Sequence, residues 1–353
     1  MADSKINLRE YLISENYSYL TIETYIDLLK TISEIYCNSL FERELFNLNE
    51  KVIDLLSKYA YQTKTNAEDE TTFIYNKEDF LSEVFISEEK YLTLRAVLER
   101  KKNIILQGAP GIGKTFTAKR LAYSIIGAKN DNQIEFVQFH QNYSYEDFVI
   151  GYKPTEDNFE LRTGIFYNFC KLAESEPDKK FFFIIDEINR GNLSKIFGEL
   201  LMAIESDYRG TKIKLACNDE NFSVPENLYI IGMMNTADRS LAMIDYALRR
   251  RFSFFEMTPA FDSDGFKNYQ RNLNDKIFDN LIEQIKILNA EISEDKMLGK
   301  GFCIGHSYFC NCKVEELRSI VDYEILPMLE EYYFDNAENF QRWKDNLHGA
   351  FNE

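Results

Sequence analysis

Among 353 residues there is one tryptophan, with three histidines, six cysteines and six prolines. Six cysteines at irregular spacing cannot build the disulfide framework of a small secreted domain. No proline and no glycine occurs before Gly108, which favours helices over hairpins there. Long apolar runs are missing as well. The longest, Phe181–Ile185 and Leu200–Ile204, fall far short of the roughly 20 residues that span a membrane. The opening string MADSKINLRE has no apolar segment, so no secretory signal is expected. These absences predict a cytoplasmic protein with no membrane partner. Positive charge is in deficit too: 41 Lys and Arg against 58 Asp and Glu leave a net −17. Such a chain repels nucleic acid globally, so any DNA contact needs a local basic surface or a partner.

What is present is an ordinary globular composition, 45% hydrophobic and 28% charged, long enough for two or three domains. Residues 1–61 read as a small helical module. Ile22, Tyr25, Ile26 and Leu29 share one helical face, Ile32 and Tyr36 extend it, and Val52, Ile53, Leu56 and Tyr59 form a second stripe. A polar stretch beginning QTKTNAEDETT predicts a linker over 62–79. From there to residue 260 short apolar runs alternate with helical stretches: Asn103–Gln107, Ile134–Phe139, Phe181–Ile185, Leu228–Met234 and Phe252–Met257. That alternation predicts an α/β domain with a mainly parallel sheet. Residues 261–353 read as mostly helical.

Four strings carry chemistry. GAPGIGKT, Gly108 to Thr115, fills every position of the phosphate-loop pattern between a strand and a helix. Its glycines let backbone N–H groups turn inward around phosphate oxygens. The expected nucleotide-binding set is Gly108, Ala109, Pro110, Gly111, Ile112, Gly113, Lys114, Thr115 and Phe116. Lys114 supplies a cation at the β- and γ-phosphates, and Thr115 a hydroxyl for Mg²⁺. FFFIIDEINR ends a buried strand in two carboxylates. Asp186 suits the Mg²⁺ shell, and Glu187 suits a base acting on the attacking water. In GMMNTADRS, Asn235 falls at the sheet's C-terminal edge, where an amide can bind a γ-phosphate or the water without charge repulsion. LRRRF, Leu248 to Phe252, ends a short helix with three arginines, and a neighbouring subunit's phosphate is one anion they could face.

These strings in this order resemble the AAA+ superfamily, and their wording is similar to one branch, the McrB-type GTPase motors of modified-cytosine restriction systems. SEEKYLTLRAVLERKKNIILQGAPGIGKT, FVQFHQNYSYEDFVIGY, IIDEINRGNLSKIFGELL, MNTADRSLAMIDYALRRRF and IGHSYF carry the likeness. The resemblance implies an AAA+ P-loop core, a C-terminal helical lid, GTP in preference to ATP as substrate, Mg²⁺, and a homo-oligomeric, hexameric ring with nucleotide at its interfaces. It also implies a McrC-like nuclease partner and DNA bound through the assembled complex. It places Asn235 and Asp238 at the lytic water and Arg250 and Arg251 in trans; should both of those arginines prove dispensable, Arg190 and Arg239 are the next candidates.

The N-terminal module departs from the branch, which usually carries a sizeable DNA reader there. Up to Lys64, ten acidic residues outnumber seven basic ones, so that role is not carried over. Two other readings use the same motor parts: a nucleotide-gated assembly switch that recruits a protein effector, and an ATP-driven remodeller of the MoxR kind. MNTADRS speaks against the latter. Cys303, His306, Cys310 and Cys312 have the spacing of zinc ligands. They overlap IGHSYF, which the branch carries without the cysteines, and strand-like alternation would put Cys310 and Cys312 on one face. His140 and His348 read as structural or surface residues.

Overall fold

Three of the apolar runs, 103–107, 181–185 and 228–234, become strands covered on both faces, and the other two become edge strands. In chain order the strands are β1 (Asn103–Gly108), β2 (Ile134–Gln138), β3 (Ile150–Pro154), β4 (Phe159–Thr163), β5 (Phe181–Asp186), β6 (Ile213–Lys214), β7 (Asn221–Phe222), β8 (Leu228–Asn235) and β9 (Ser253–Glu256). Five of them form one sheet, ordered β2-β5-β8-β1-β9, with every pairing parallel. Alternation along each strand sorts side chains between two layers. Ile104 and Leu106 of β1, with Phe182 and Ile184 of β5, pack with Leu94, Leu98 and Leu121 of the helices Glu88–Lys101 and Lys114–Ile126. Ile105, with Phe181, Phe183 and Ile185, packs with Phe166 and Phe169 of the helix Ile165–Ser175. All five expected runs are in this sheet. The antiparallel hairpins β3–β4 and β6–β7 were not expected.

The computed structural model describes residues 74–155, 158–218, 220–237 and 246–352. Contacts divide the chain after Thr72, and the described residues belong to the unit Phe73–Glu353. The expected helical module over 1–61 lies outside them, as do residues 62–73 of the expected linker. The rest of that linker overlaps the folded unit: Tyr75 is buried, and a helix capped by Asn76 runs from Lys77 to Glu83. Among the described residues no helix is long and apolar enough to cross a membrane.

C-terminal to β9 the chain is helical, with Asp264–Leu273, Lys276–Glu294, Leu326–Tyr332 and Ala337–Gly349 as its main elements. Ser263 and Asp275 cap the first two through side-chain oxygens that accept from Phe266 and Phe278 N–H. Trp343 locks this lid. Its ring is buried, and its indole N–H donates to Glu291 Oε1 at 3.1 Å. Trp343→Ala is expected to cost about 3–5 kcal/mol, as large-to-small changes in packed cores do, measured by denaturant unfolding.

Candidate nucleotide site

The parallel sheet gathers the predicted residues on one edge. Gly108 ends β1 in register with Asn235 at the end of β8. Asp186 ends β5, which pairs with β8 on its other side. The chain after Gly108 turns tightly, with Gly111 at φ +69° and Gly113 at φ +75°, a region side chains rarely adopt. The helix Lys114–Ile126 then starts with no acidic residue in its first turn. Its N-terminal partial positive charge is therefore uncompensated and aimed at the loop, which suits an anion.

Lys114 is buried in the loop mouth. Its ammonium donates to Gly108 O at 3.1 Å, Ala109 O at 2.8 Å and Asn235 Oδ1 at 2.6 Å. The other end of the same amide, Asn235 Nδ2, donates to Glu187 Oε1 at 2.5 Å. One amide thus joins the cation to the carboxylate, using its acceptor for one and its donor for the other. Glu187 Oε2 lies 3.2 Å from Arg190 Nε, yet it is buried without a hydrogen bond among the described residues. Glu187 also sits at φ +50°, a conformation costly for a residue with a Cβ and concentrated at functional sites. Asp186 Oδ1 accepts from the Glu187 N–H at 3.0 Å, and Thr115 lies exposed at the start of the helix. A carboxylate and a hydroxyl form an all-oxygen donor set, which fits Mg²⁺.

The adjacent arginines separate. Arg251 is buried, its side chain 9% exposed, with Nε donating to Leu201 O at 2.6 Å and 3.0 Å from Glu205 Oε1. Arg250 is 67% exposed, and among the described residues its one contact is a loose one to Glu205 Oε1 at 3.4 Å. The backbone there is fixed by a polar knot that the sequence did not reveal. Asn103 Nδ2 donates to Arg251 O and Ile204 O, while Arg209, fully buried, donates to Asn103 Oδ1, Ile204 O and Pro225 O. Burial among these neutral oxygens pulls the Arg209 guanidinium down to about 10. Asn103 begins β1 and Gly108 ends it, so this knot lies roughly 16 Å from the loop at 3.3 Å per strand residue. Asp238 and Arg239 lie outside the described residues.

A cavity of about 940 Å³ adjoins the loop, lined by Ile112, Gly113 and Thr117, by Phe85 and Ile86, and by lid residues including His306. Its volume is that of an organic-ligand pocket. No sequence feature announced it. His306 Nδ1 accepts from Ala260 N–H at 3.1 Å, and burial holds the imidazole down to about 4. The unfolded chain takes up that proton near pH 6.5 and the folded chain only near 4. More protons bound by the unfolded state means stability falls with pH, here from about 6.5 down to 4, by up to about 3 kcal/mol. Denaturant unfolding at pH 7.5 and 5 should show the loss, and His306→Asn should narrow it.

Among the described residues no group of His, Cys, Asp and Glu is arranged to hold a metal ion by itself. Cys303 Sγ donates to Asn289 O and Cys310 Sγ to His306 O. Burial pushes the Cys310 thiol up to about 12, away from the metal-binding thiolate. The strand-like alternation expected at Cys310 and Cys312 is absent. A 3₁₀ turn, His306–Phe309, and a left-handed Asn311 at φ +58° replace it, because this segment folds back onto the phosphate loop. His348 pairs with Asp322 at 2.6 Å, and His140 is exposed against Tyr143.

Residues 103–252 match the family described as AAA domain (dynein-related subfamily), and residues 280–341 match McrB, alpha-helical lid domain. The chain is 48% identical over 321 residues to the type IV methyl-directed restriction enzyme EcoKMcrB subunit of Escherichia coli (strain K12), covering 86% of this chain and 67% of that protein. It is 29% identical over 262 residues to the type II restriction enzyme BsuMI component YdiS of Bacillus subtilis (strain 168), covering 60% of this chain and 75% of that one.

Proposed function

Because the chain belongs to the McrB-type AAA+ family, we propose that it is the GTP-hydrolysing motor subunit of a restriction system directed at modified DNA. The observation that carries this reading is the line Lys114–Asn235–Glu187 drawn across the sheet edge at the phosphate loop. The loop amides and Lys114 hold the β- and γ-phosphates. Thr115 and Asp186 would hold Mg²⁺, which supplies charge neutralisation on the phosphate oxygens when bound. Glu187 accepts a proton from the attacking water, Asn235 orients that water against the γ-phosphate, and Asp238 assists. The mouth of the 940 Å³ cavity gives the nucleoside its room.

Arg250 cannot serve its own site, since its turn is fixed at the opposite edge of the sheet from its own loop. An exposed guanidinium so placed suits the nucleotide of a neighbouring subunit, which makes a ring, hexameric in this reading, the catalytic unit. A nuclease of the McrC type would cut the DNA. The match of residues 280–341 to the McrB lid supports this reading over a MoxR-like remodeller.

The test is hydrolysis of GTP and of ATP with Mg²⁺, over a range of protein concentration, with and without a McrC-type nuclease. GTP turnover is expected to exceed ATP turnover, to rise as subunits assemble, and to be stimulated by the nuclease. Absence of hydrolysis of either nucleotide in all of these conditions would overturn the reading.

A further inference from the structure

The string Ile304–Phe309 has no part in the chemistry above. In the structure it grips the phosphate loop. Gly111 O accepts two hydrogen bonds from Ser307, from its N–H at 2.9 Å and from its hydroxyl at 2.6 Å. Gly305 lies over the same peptide, so close that a Cβ there would stand 1.9 Å from Gly111 O and 2.6 Å from Ile112 N. The Tyr308 ring fills the space a Cβ on Gly111 would need, 2.2 Å from its Cε2. Tyr308 in turn is held in the lid, its hydroxyl 3.7 Å from Met328 Sδ. Three lid residues therefore seize one peptide of a loop nearly 200 positions earlier in the chain.

A trans peptide carries its C=O and N–H on opposite sides. Tying the Gly111 oxygen to Ser307 turns the Ile112 N–H away from the lid segment and into the loop, where phosphate oxygens are expected. The left-handed Gly111 permits that setting, and the missing side chain at Gly305 lets the lid approach. We propose that Gly305–Tyr308 is a positioning device that sets the phosphate seat from the lid, so that nucleotide affinity depends on the lid's register against the loop. The inference rests on the nucleotide reading given above. It also gives a displacement of the lid a direct route to the phosphates.

The test uses the 353-residue chain with Mg²⁺ and GTPγS. Ser307→Ala removes the hydroxyl bond, keeps the N–H bond, and leaves no cavity because Ser307 is exposed. It should lower the nucleotide-free melting temperature only slightly, as loss of one exposed hydrogen bond does, and raise Kd about three- to tenfold, the worth of one net hydrogen bond. Ser307→Thr, which retains a hydroxyl, should restore binding. Gly305→Ala, driven against backbone, should raise Kd by about ten- to a hundredfold in protein whose near-UV circular dichroism is native. Unchanged Kd in Ser307→Ala, or an equal loss in Ser307→Thr, would overturn the positioning role while wild type still binds. Failure of wild type to bind GTPγS would instead overturn the nucleotide reading.

Discussion

Glu187→Gln is expected to lower nucleotide turnover about 10²–10⁴-fold, the usual worth of a positioned general base, while nucleotide still binds. The amide oxygen of Gln can go on accepting from Asn235 Nδ2, as Glu187 Oε1 does at 2.5 Å, so the line to Lys114 survives. The capacity to take a proton from water is lost. The change is therefore chemical and not architectural. Rapid-quench hydrolysis beside a fluorescent-nucleotide titration separates the two steps. A normal rate would remove Glu187 from its assigned role, and lost binding would make it part of the seat.

Arg250→Ala should have the larger effect in assembled protein, about 10³–10⁵-fold on turnover, because an arginine supplied in trans neutralises charge that develops only in the transition state. Its side chain is 67% exposed with one contact at 3.4 Å, so thermal stability should move by no more than about 0.5 kcal/mol. Arg251→Ala has a different signature. That side chain is 9% exposed and hydrogen-bonded to Leu201 O beside Glu205, so its loss should cost about 2–3 kcal/mol of stability as well as turnover. Melting curves and steady-state rates on both variants tell the residues apart. Full turnover in Arg250→Ala at ring-forming concentration would leave the exposed arginine as a solvated helix end.

The two arginines are neighbours of one type in LRRRF, and nothing in that string orders them. What separates them is a knot tied by Asn103 and Arg209, 106 positions apart, around the carbonyls of Ile204 and Arg251. The grip of Ser307 on Gly111 is equally remote, 196 positions in sequence. Such contacts exist only after the chain has folded: Arg209 belongs to no local pattern, and the string IGHSYF that holds Ser307 says nothing in itself of Gly111. The five strands of the parallel sheet were legible for the opposite reason. The three inner strands β1, β5 and β8 are buried on both faces, so their whole signal lies within six to eight consecutive residues. The hairpin β3–β4 escaped notice because FELRT is largely exposed and its partner strand is half so. The phosphate loop, Asp186, Glu187 and Asn235 were readable because each closes a buried strand, and the strand order then brings three strand ends together. The zinc-like spacing of Cys303, His306, Cys310 and Cys312 carries no metal site among the described residues. It records proximity in sequence, whereas in the folded chain His306 accepts from Ala260, Cys303 donates to Asn289 O and Cys310 to His306 O.

In the proposed ring one catalytic site is built from two chains. The most direct measurement mixes Arg250→Ala with Glu187→Gln, each nearly inactive alone, and records GTP turnover against mixing ratio at fixed total protein. In a mixed ring some interfaces pair an intact Glu187 and phosphate loop from one chain with an intact Arg250 from the next. Turnover should therefore rise from near zero at either end to a maximum at intermediate ratios. A profile that stays on the straight line between the two parents, although the chains co-assemble, would contradict an arginine acting across the interface.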